Sequence, residues 1–416
     1  MPSFRLRCSE CGTEAAEDPA LLVCPECTAL QEPGGVTRGV LEVVLDDLPA
    51  RWPEGAASSP AFLSAFWPVA DVRHLPPLAV GGTPLLPVPG LRHELGMPDL
   101  WVKDDSRCPS GSTKDRASLL VVAKALEYGF DTIATASTGN AATALAAVAA
   151  AAGTRAVVLV PAAAPRAKLV QMLAYGARVV PIEGSYDDAF ELCLTCCERF
   201  GWYNRSTALN PFTTEGKKTA ALEIARDLSP AEADVVLVPT GDGVILSGLA
   251  KGFADLAAAG LVTQPPRLIA VQPEGSDAIA TALRTGSSTI EPVPSAASVA
   301  DSLVVQAPRN AIMCLQRVRG SGGTGVLVSD EQILAAIADL ARLTGVFAEP
   351  AAAASLPGLR TALEEGLVDR RERVVLLVTG TGLKDVDAAL RAVELPRPVP
   401  PDADSVASAV GDGGGA

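Results

Sequence analysis

Lys114 closes the segment P-S-G-S-T-K at residues 109–114 and is followed by D-R and an apolar run. Pro109, Ser110 and Gly111 make a turn, and Ser112 and Thr113 open a helix that starts near Asp115. An amine there lies beside free backbone amides and the positive end of the helix dipole. Both disfavour the ammonium and leave a nucleophilic amine suited to forming a Schiff base. Taken alone, an exposed lysine at a helix start explains the position better. A different chemistry is written in Cys8, Cys11, Cys24 and Cys27, two C-x2-C pairs separated by twelve residues. Each pair forms a knuckle, and four thiolates complete the closed tetrahedral shell of a zinc ribbon, so structural Zn2+ is expected. A knuckle that no longer holds metal is the alternative. A closed shell has no open position for catalysis, and the segment lacks the basic cluster of a nucleic-acid module.

Three glycine-bearing turns follow candidate strands. Ser137-Thr138-Gly139-Asn140 precedes an Ala-rich helix, where amides and hydroxyls can cradle a carboxylate and Gly139 permits close approach; a plain helix cap reads the same way. Thr240-Gly241-Asp242-Gly243-Val244 offers a nest of amides for an anion, provided that the Asp242 carboxylate turns away or accepts hydrogen bonds from the loop. Thr379-Gly-Thr-Gly lies at a third strand end. His74 and His93 are the only histidines and lie in no motif, which disfavours a histidine triad. No dinucleotide fingerprint opens a first βα unit. Cys193, Cys196 and Cys197 sit in an amphipathic stretch and read as core packing.

The elements that must hold these turns are short β-branched runs separated by helix-length segments: Thr132–Ala136, Ala156–Val160, Arg178–Ile182, Asp234–Val238, Arg267–Val271 and Val374–Val378. That pattern means buried parallel strands in an α/β fold, with ligands at the strands' C-terminal ends. The 416 residues are 48% hydrophobic, enough for two or three domains. A net charge of −14 repels phosphate backbones and anionic lipid, so neither nucleic acid nor membrane is an expected partner. The N-terminus has no apolar run of signal-peptide length, and a cytoplasmic protein with reduced cysteines is expected. From about Pro396 the chain is Pro, Ala, Asp and Gly without periodicity, and a disordered tail is expected.

Residues 109–116 resemble the lysine signature of threonine synthases, which are fold-type-II pyridoxal-phosphate enzymes. Ser137–Asn140, Pro239–Gly248 and Thr379–Asp385 match further family segments in order. Gly81–Leu85, Asn210-Pro211, Glu215–Thr219 and Phe347–Ala351 add to the likeness, which runs from about residue 80 to 390. The resemblance implies the tryptophan-synthase-β-like fold: two open twisted α/β domains with the cofactor between them, beyond a small zinc-ribbon-like knuckle. The expected division is 1–38 for the knuckle, 39–119 with 205–393 for the large domain, 120–204 for the small domain and 394–416 for the tail. It implies that Lys114 carries pyridoxal 5'-phosphate and shuttles protons, while Asn140 meets the phenolic oxygen. Thr240, Gly241, Asp242, Gly243 and Val244 would grip the cofactor phosphate, and Thr379 would meet the pyridine nitrogen. Ser137, Thr138, Gly139 and Asn140 would bind the substrate carboxylate, Lys103 the substrate phosphate, and Asn210 the substrate side of the cleft.

The implied reaction turns O-phospho-L-homoserine, a small phosphorylated amino acid, and water into L-threonine and phosphate, in what is commonly a homodimer. Thr113 stands where the family usually has phenylalanine and Cys108 where it has asparagine, and the segment around Arg309 is unlike typical members. These departures leave room for β-replacement or dehydration of phosphoserine, serine or threonine on the same cofactor. A non-catalytic relative that binds an amino acid is the rival from another class, against which the intact Lys114 argues.

Overall fold

The computed structural model describes residues 3–164 and 166–411. Phe4–Cys8 (β1), Glu14–Ala15 (β2) and Leu41–Leu45 (β3) form an antiparallel sheet in the order β2-β1-β3. Cys8 ends β1, Cys24 caps the one-turn helix Pro25–Thr28 and Cys27 lies within it, so this small unit gathers the cysteines. Because β3 belongs to it, the unit reaches past the boundary expected at residue 38.

Leu85–Pro87 (β4) and Leu100–Asp104 (β5) begin the main sheet. The chain crosses through the helix Lys114–Glu127 into a second sheet of Thr132–Ala136 (β6), Arg155–Pro161 (β7), Arg178–Ile182 (β8) and Tyr203–Asn204 (β9). It returns with Val235–Pro239 (β10), Arg267–Pro273 (β11), Thr324–Val328 (β12) and Val374–Val378 (β13). The main sheet has the order β12-β11-β10-β13-β5-β4, parallel except at β4–β5; the second is β8-β7-β6-β9, parallel throughout. Parallel strands need helical crossovers that cover both faces, and β6, β10 and β13 are buried at every residue. The strand β8 departs from the expected burial: it is an edge, with Arg178 and Pro181 exposed. A charge and a proline both discourage further pairing there.

In each sheet the strand order reverses beside a central strand. β10 lies between β11 and β13, and β6 lies between β7 and β9. Such reversals open crevices beyond the strands' C-terminal ends. The helix Lys114–Glu127 is buried from Asp115 through Ala125 and packs against the helices Asn140–Ala152 and Phe212–Lys217. The boundary expected at 119/120 therefore falls inside one rigid element. One apolar core runs from Leu6 and Val43 through Leu120 and Ile133 to Val236 and Val375, while a second covers the other face of the main sheet. Cys193 and Cys197 pack in a third cluster with Ala134 and Phe190, in keeping with a packing role. The tail expected to be disordered carries an exposed helix, Ala403–Gly411, where Asp402 accepts from the Ser405 amide at 2.8 Å as a cap. Residues 412–416 lie outside the described residues.

Candidate active site

The segment before Lys114 is fixed by a buried ionic group. The Arg116 guanidinium donates to Asp105 at 2.7 and 2.8 Å and to Glu223 at 2.6 and 2.9 Å. Lys103 Nζ completes the group, 2.7 Å from Glu223 Oε2 and 2.6 Å from the Thr83 carbonyl. Two cations answer two carboxylates, as burial demands. Burial alone would raise the Glu223 carboxyl, but Arg116 and Lys103 carry it below its ordinary value. Lys103 is fully buried and lies off the cavity described next, so the expectation that it receives substrate phosphate is corrected. Its partner Glu223 is far along the chain, which local spacing cannot reveal.

A cavity of about 1050 Å³ is lined from both sheets. It brings together Lys114, then Ser137, Thr138, Gly139 and Asn140 beyond β6, and Thr240, Gly241, Asp242, Gly243 and Val244 beyond β10. Lys114 is the first residue of its helix, and burial lowers its amine pKa, an effect that Glu349 opposes. The turn before it is held from two sides. The Asp115 carboxylate accepts from the Ser110 amide at 2.6 Å and from the Ser110 hydroxyl. The Thr113 amide donates to the Thr379 carbonyl at 2.8 Å, and the Thr381 amide to the Gly111 carbonyl at 3.0 Å. Gly111 has φ +86° and its Cβ would lie 2.9 Å from Thr381, so this lacing needs glycine. Thr379 is buried behind the turn and is not among the residues lining the cavity.

Glu349 is a residue whose role sequence reasoning missed, although its F-A-E-P-A patch was visible. Asn140 Nδ2 lies 2.9 and 3.1 Å from its two carboxylate oxygens, and burial raises its pKa. A Cβ on Gly380 would lie 2.3 Å from Glu349 Oε1, so the turn after β13 fits only as glycine. The signal in the sequence was an acid before Pro350 at a helix start. Asp242 is held from outside its own loop: Oδ1 accepts from the Arg309 amide at 2.9 Å, and its carbonyl accepts from the Asn310 amide at 3.0 Å. Gly243 has φ +90° and a Cβ there would come 2.7 Å from Cys314, which keeps the turn tight.

Asn210 is also corrected. It is buried, donates to the Asn204 carbonyl at 2.8 Å, accepts from the Phe212 amide at 3.0 Å, and does not line the cavity. Its side chain is fully used in closing a turn. Thr207 and Lys217 line the cavity in its place. Lys217 is 1% exposed, its Nζ has no hydrogen-bond partner among the described residues, and burial drives its pKa well down. Cys108 is buried, with its thiol pushed well up by burial, which fits space filling.

The four cysteine sulfurs lie within 4.8 Å of one another; Cys8–Cys27 is 3.7 Å and Cys11–Cys24 is 3.8 Å. A tetrahedron with Zn–S bonds of about 2.3 Å has edges of about 3.8 Å. The donor set and its spacing therefore fit zinc. Gly34, Gly35 and Thr37, which follow the cluster, line the cavity, so the small unit forms part of its rim. Among the described residues, no helix is long and apolar enough to cross a membrane.

Residues 77–380 match the family described as pyridoxal-phosphate dependent enzyme. The threonine synthase of Methanosarcina acetivorans is 35% identical over 412 residues, covering 98% of either chain. That of Methanocaldococcus jannaschii is 36% identical and covers 94% of this chain and 95% of its own. Among solved structures, threonine deaminase isoform 2 from Solanum lycopersicum (TM-score 0.64, 21% identity) covers 79% of this chain and 90% of its own. Maize serine racemase (TM-score 0.64, 24% identity) covers 75% and 92%. At those identities the two structures speak for the fold alone.

Proposed function

This chain belongs to the threonine synthase family of pyridoxal-phosphate dependent enzymes, and on that premise we propose the reaction its site performs: O-phospho-L-homoserine and water give L-threonine and phosphate. The observation that carries this reading is a half-buried lysine of lowered pKa, Lys114, in one cavity with two amide-rich turns. These residues fit pyridoxal phosphate: the Gly241–Val244 turn opens a 15-residue helix, Gly243 leaves no room for a Cβ, and Lys217 Nζ stands unpaired in the same cavity. Lys114 would carry the cofactor and the turn at Thr240–Val244 its phosphate.

Bound pyridoxal phosphate supplies an electron sink conjugated to the substrate's Cα. The protein's own groups do the rest. Lys114 takes the proton from Cα and returns protons later, since its lowered pKa favours the neutral amine that acts as a base. Ser137, Thr138 and Gly139 hold the substrate carboxylate at the start of the helix Asn140–Ala152. Glu349 fixes the Asn140 amide, so that donor is aimed before substrate arrives.

Structural Zn2+ at Cys8, Cys11, Cys24 and Cys27, a cytoplasmic location and a homodimer belong to the same proposal. The first is supported by the sulfur spacing and the others by family likeness. The decisive assay gives the cofactor-loaded protein O-phospho-L-homoserine and identifies the products. Threonine and phosphate in equal amounts are expected. A keto acid with ammonia would instead assign dehydration, and no phosphate release would remove the reaction.

A further inference from the structure

Lys217 ends the helix Phe212–Lys217 with its Nζ unpaired among the described residues and its side chain buried. Its neighbour Lys218 shows how a satisfied buried lysine is arranged here, bonded to Glu215 and, at 2.8 Å, to Asp255. Lys217 instead lines the cavity that contains Lys114. Its stem runs beside Gly248, where a Cβ would approach Lys217 Cβ to 2.8 Å. Gly248 lies in the helix that begins at Val244, so Lys217 follows that helix toward the turn at its start. Lys114 and Arg205 repel its charge, and Asp242 attracts it. Arg205 is also buried with Nη2 unpartnered. An ammonium left open among other cations is costly unless an anion joins it. The helix start supplies free amides for the same anion.

From this geometry we propose that Lys217 is the cation of a phosphate subsite in this cavity, binding a phosphate monoester dianion, either the cofactor's at the Thr240–Val244 turn or the substrate's beside it. The inference rests on the reading of the cavity as a pyridoxal-phosphate site with a phosphorylated substrate. Either molecule brings the same chemistry, an ester oxygen and a dianionic head. Lys103 cannot serve, because Glu223 and the Thr83 carbonyl hold it.

The test uses the full chain freed of cofactor, with Lys217→Gln and Lys217→Arg beside the parent. Pyridoxal 5'-phosphate and pyridoxal are titrated separately, and O-phospho-L-homoserine kinetics and inhibition by inorganic phosphate are measured on the loaded protein. Loss of one charge-assisted hydrogen bond weakens binding roughly ten- to hundredfold. If the cofactor is the source, Lys217→Gln loses that much affinity for pyridoxal 5'-phosphate and none for pyridoxal. If the substrate is the source, cofactor affinity holds, KM rises and phosphate inhibition weakens by a similar factor. In both cases Lys217→Arg keeps most of the affinity. The proposal is overturned if neither phosphate-dependent quantity moves, if pyridoxal weakens as much as its phosphate, or if the Gln variant fails to fold. A protein that makes no threonine still reports through the two cofactor titrations, so the failure of the reaction and of the subsite remain distinguishable.

Discussion

Glu349 sets both the direction of Asn140 and the charge that Lys114 faces. Burial lowers the Lys114 amine, and Glu349 partly restores it. Glu349→Gln keeps an acceptor for Asn140 but removes the charge, so the Lys114 pKa should fall further. A depressed lysine becomes reactive once pH exceeds its folded pKa, so the rise in cofactor-uptake rate with pH should move to lower pH in this variant. Turnover should drop about a hundredfold, the scale of a misplaced catalytic contact. Stopped-flow uptake across pH checks this, and a move to higher pH would contradict the assigned coupling. The sequence exposed Lys114 and the three turns because glycine and small polar residues at strand ends have few other uses. It hid Glu349, Lys217 and the true partner of Lys103, because their meaning depends on residues brought near only by the fold.

At the scale of elements, the cysteine-bearing unit and the catalytic cavity share a border. Gly39 sits against Cys24, with a Cβ position 2.8 Å from the Cys24 carbonyl, and Gly34, Gly35 and Thr37 immediately before it line the cavity. Cys24→Ser should therefore release zinc, lower the melting temperature and raise KM more than it lowers kcat. Zinc content by elemental analysis with steady-state kinetics tests it; an unchanged KM with zinc gone would separate the rim from the metal. The apolar strands were legible from composition, since six runs of β-branched residues became β6, β7, β8, β10, β11 and β13. The strand β5 was not, because its Lys103-Asp104 end looks like a polar loop until Arg116 and Glu223 are seen beneath it. The strand β12 was obscured by glycines; Gly325 is required where a Cβ would strike Ala280 at 2.5 Å. The knuckle outgrew its expected boundary for a related reason: β3 pairs with β1 from across more than thirty residues.

For the whole molecule, two sheets converge on one cavity and touch across it at named polar pairs: Asn140 with Glu349, Gln171 with Lys384 at 2.7 Å, and Asp187 with Arg309 at 3.6 Å. Arg309 also stacks on Phe190 at 4.2 Å, which gives that sequence departure a place at the junction of the two sheets. An overall charge of −14 makes the cations gathered at Lys114, Arg205 and Lys217 a local exception, suited to anionic ligands. The central claim is that Lys114, and not its buried neighbour Lys217, carries the cofactor. Borohydride reduction of the loaded protein followed by peptide mapping tests this directly. The account predicts one pyridoxyl phosphate group on the peptide containing Lys114, and no group in Lys114→Ala, which should retain its fold. Modification at Lys217 or Lys384, or steady turnover by Lys114→Ala, would contradict it.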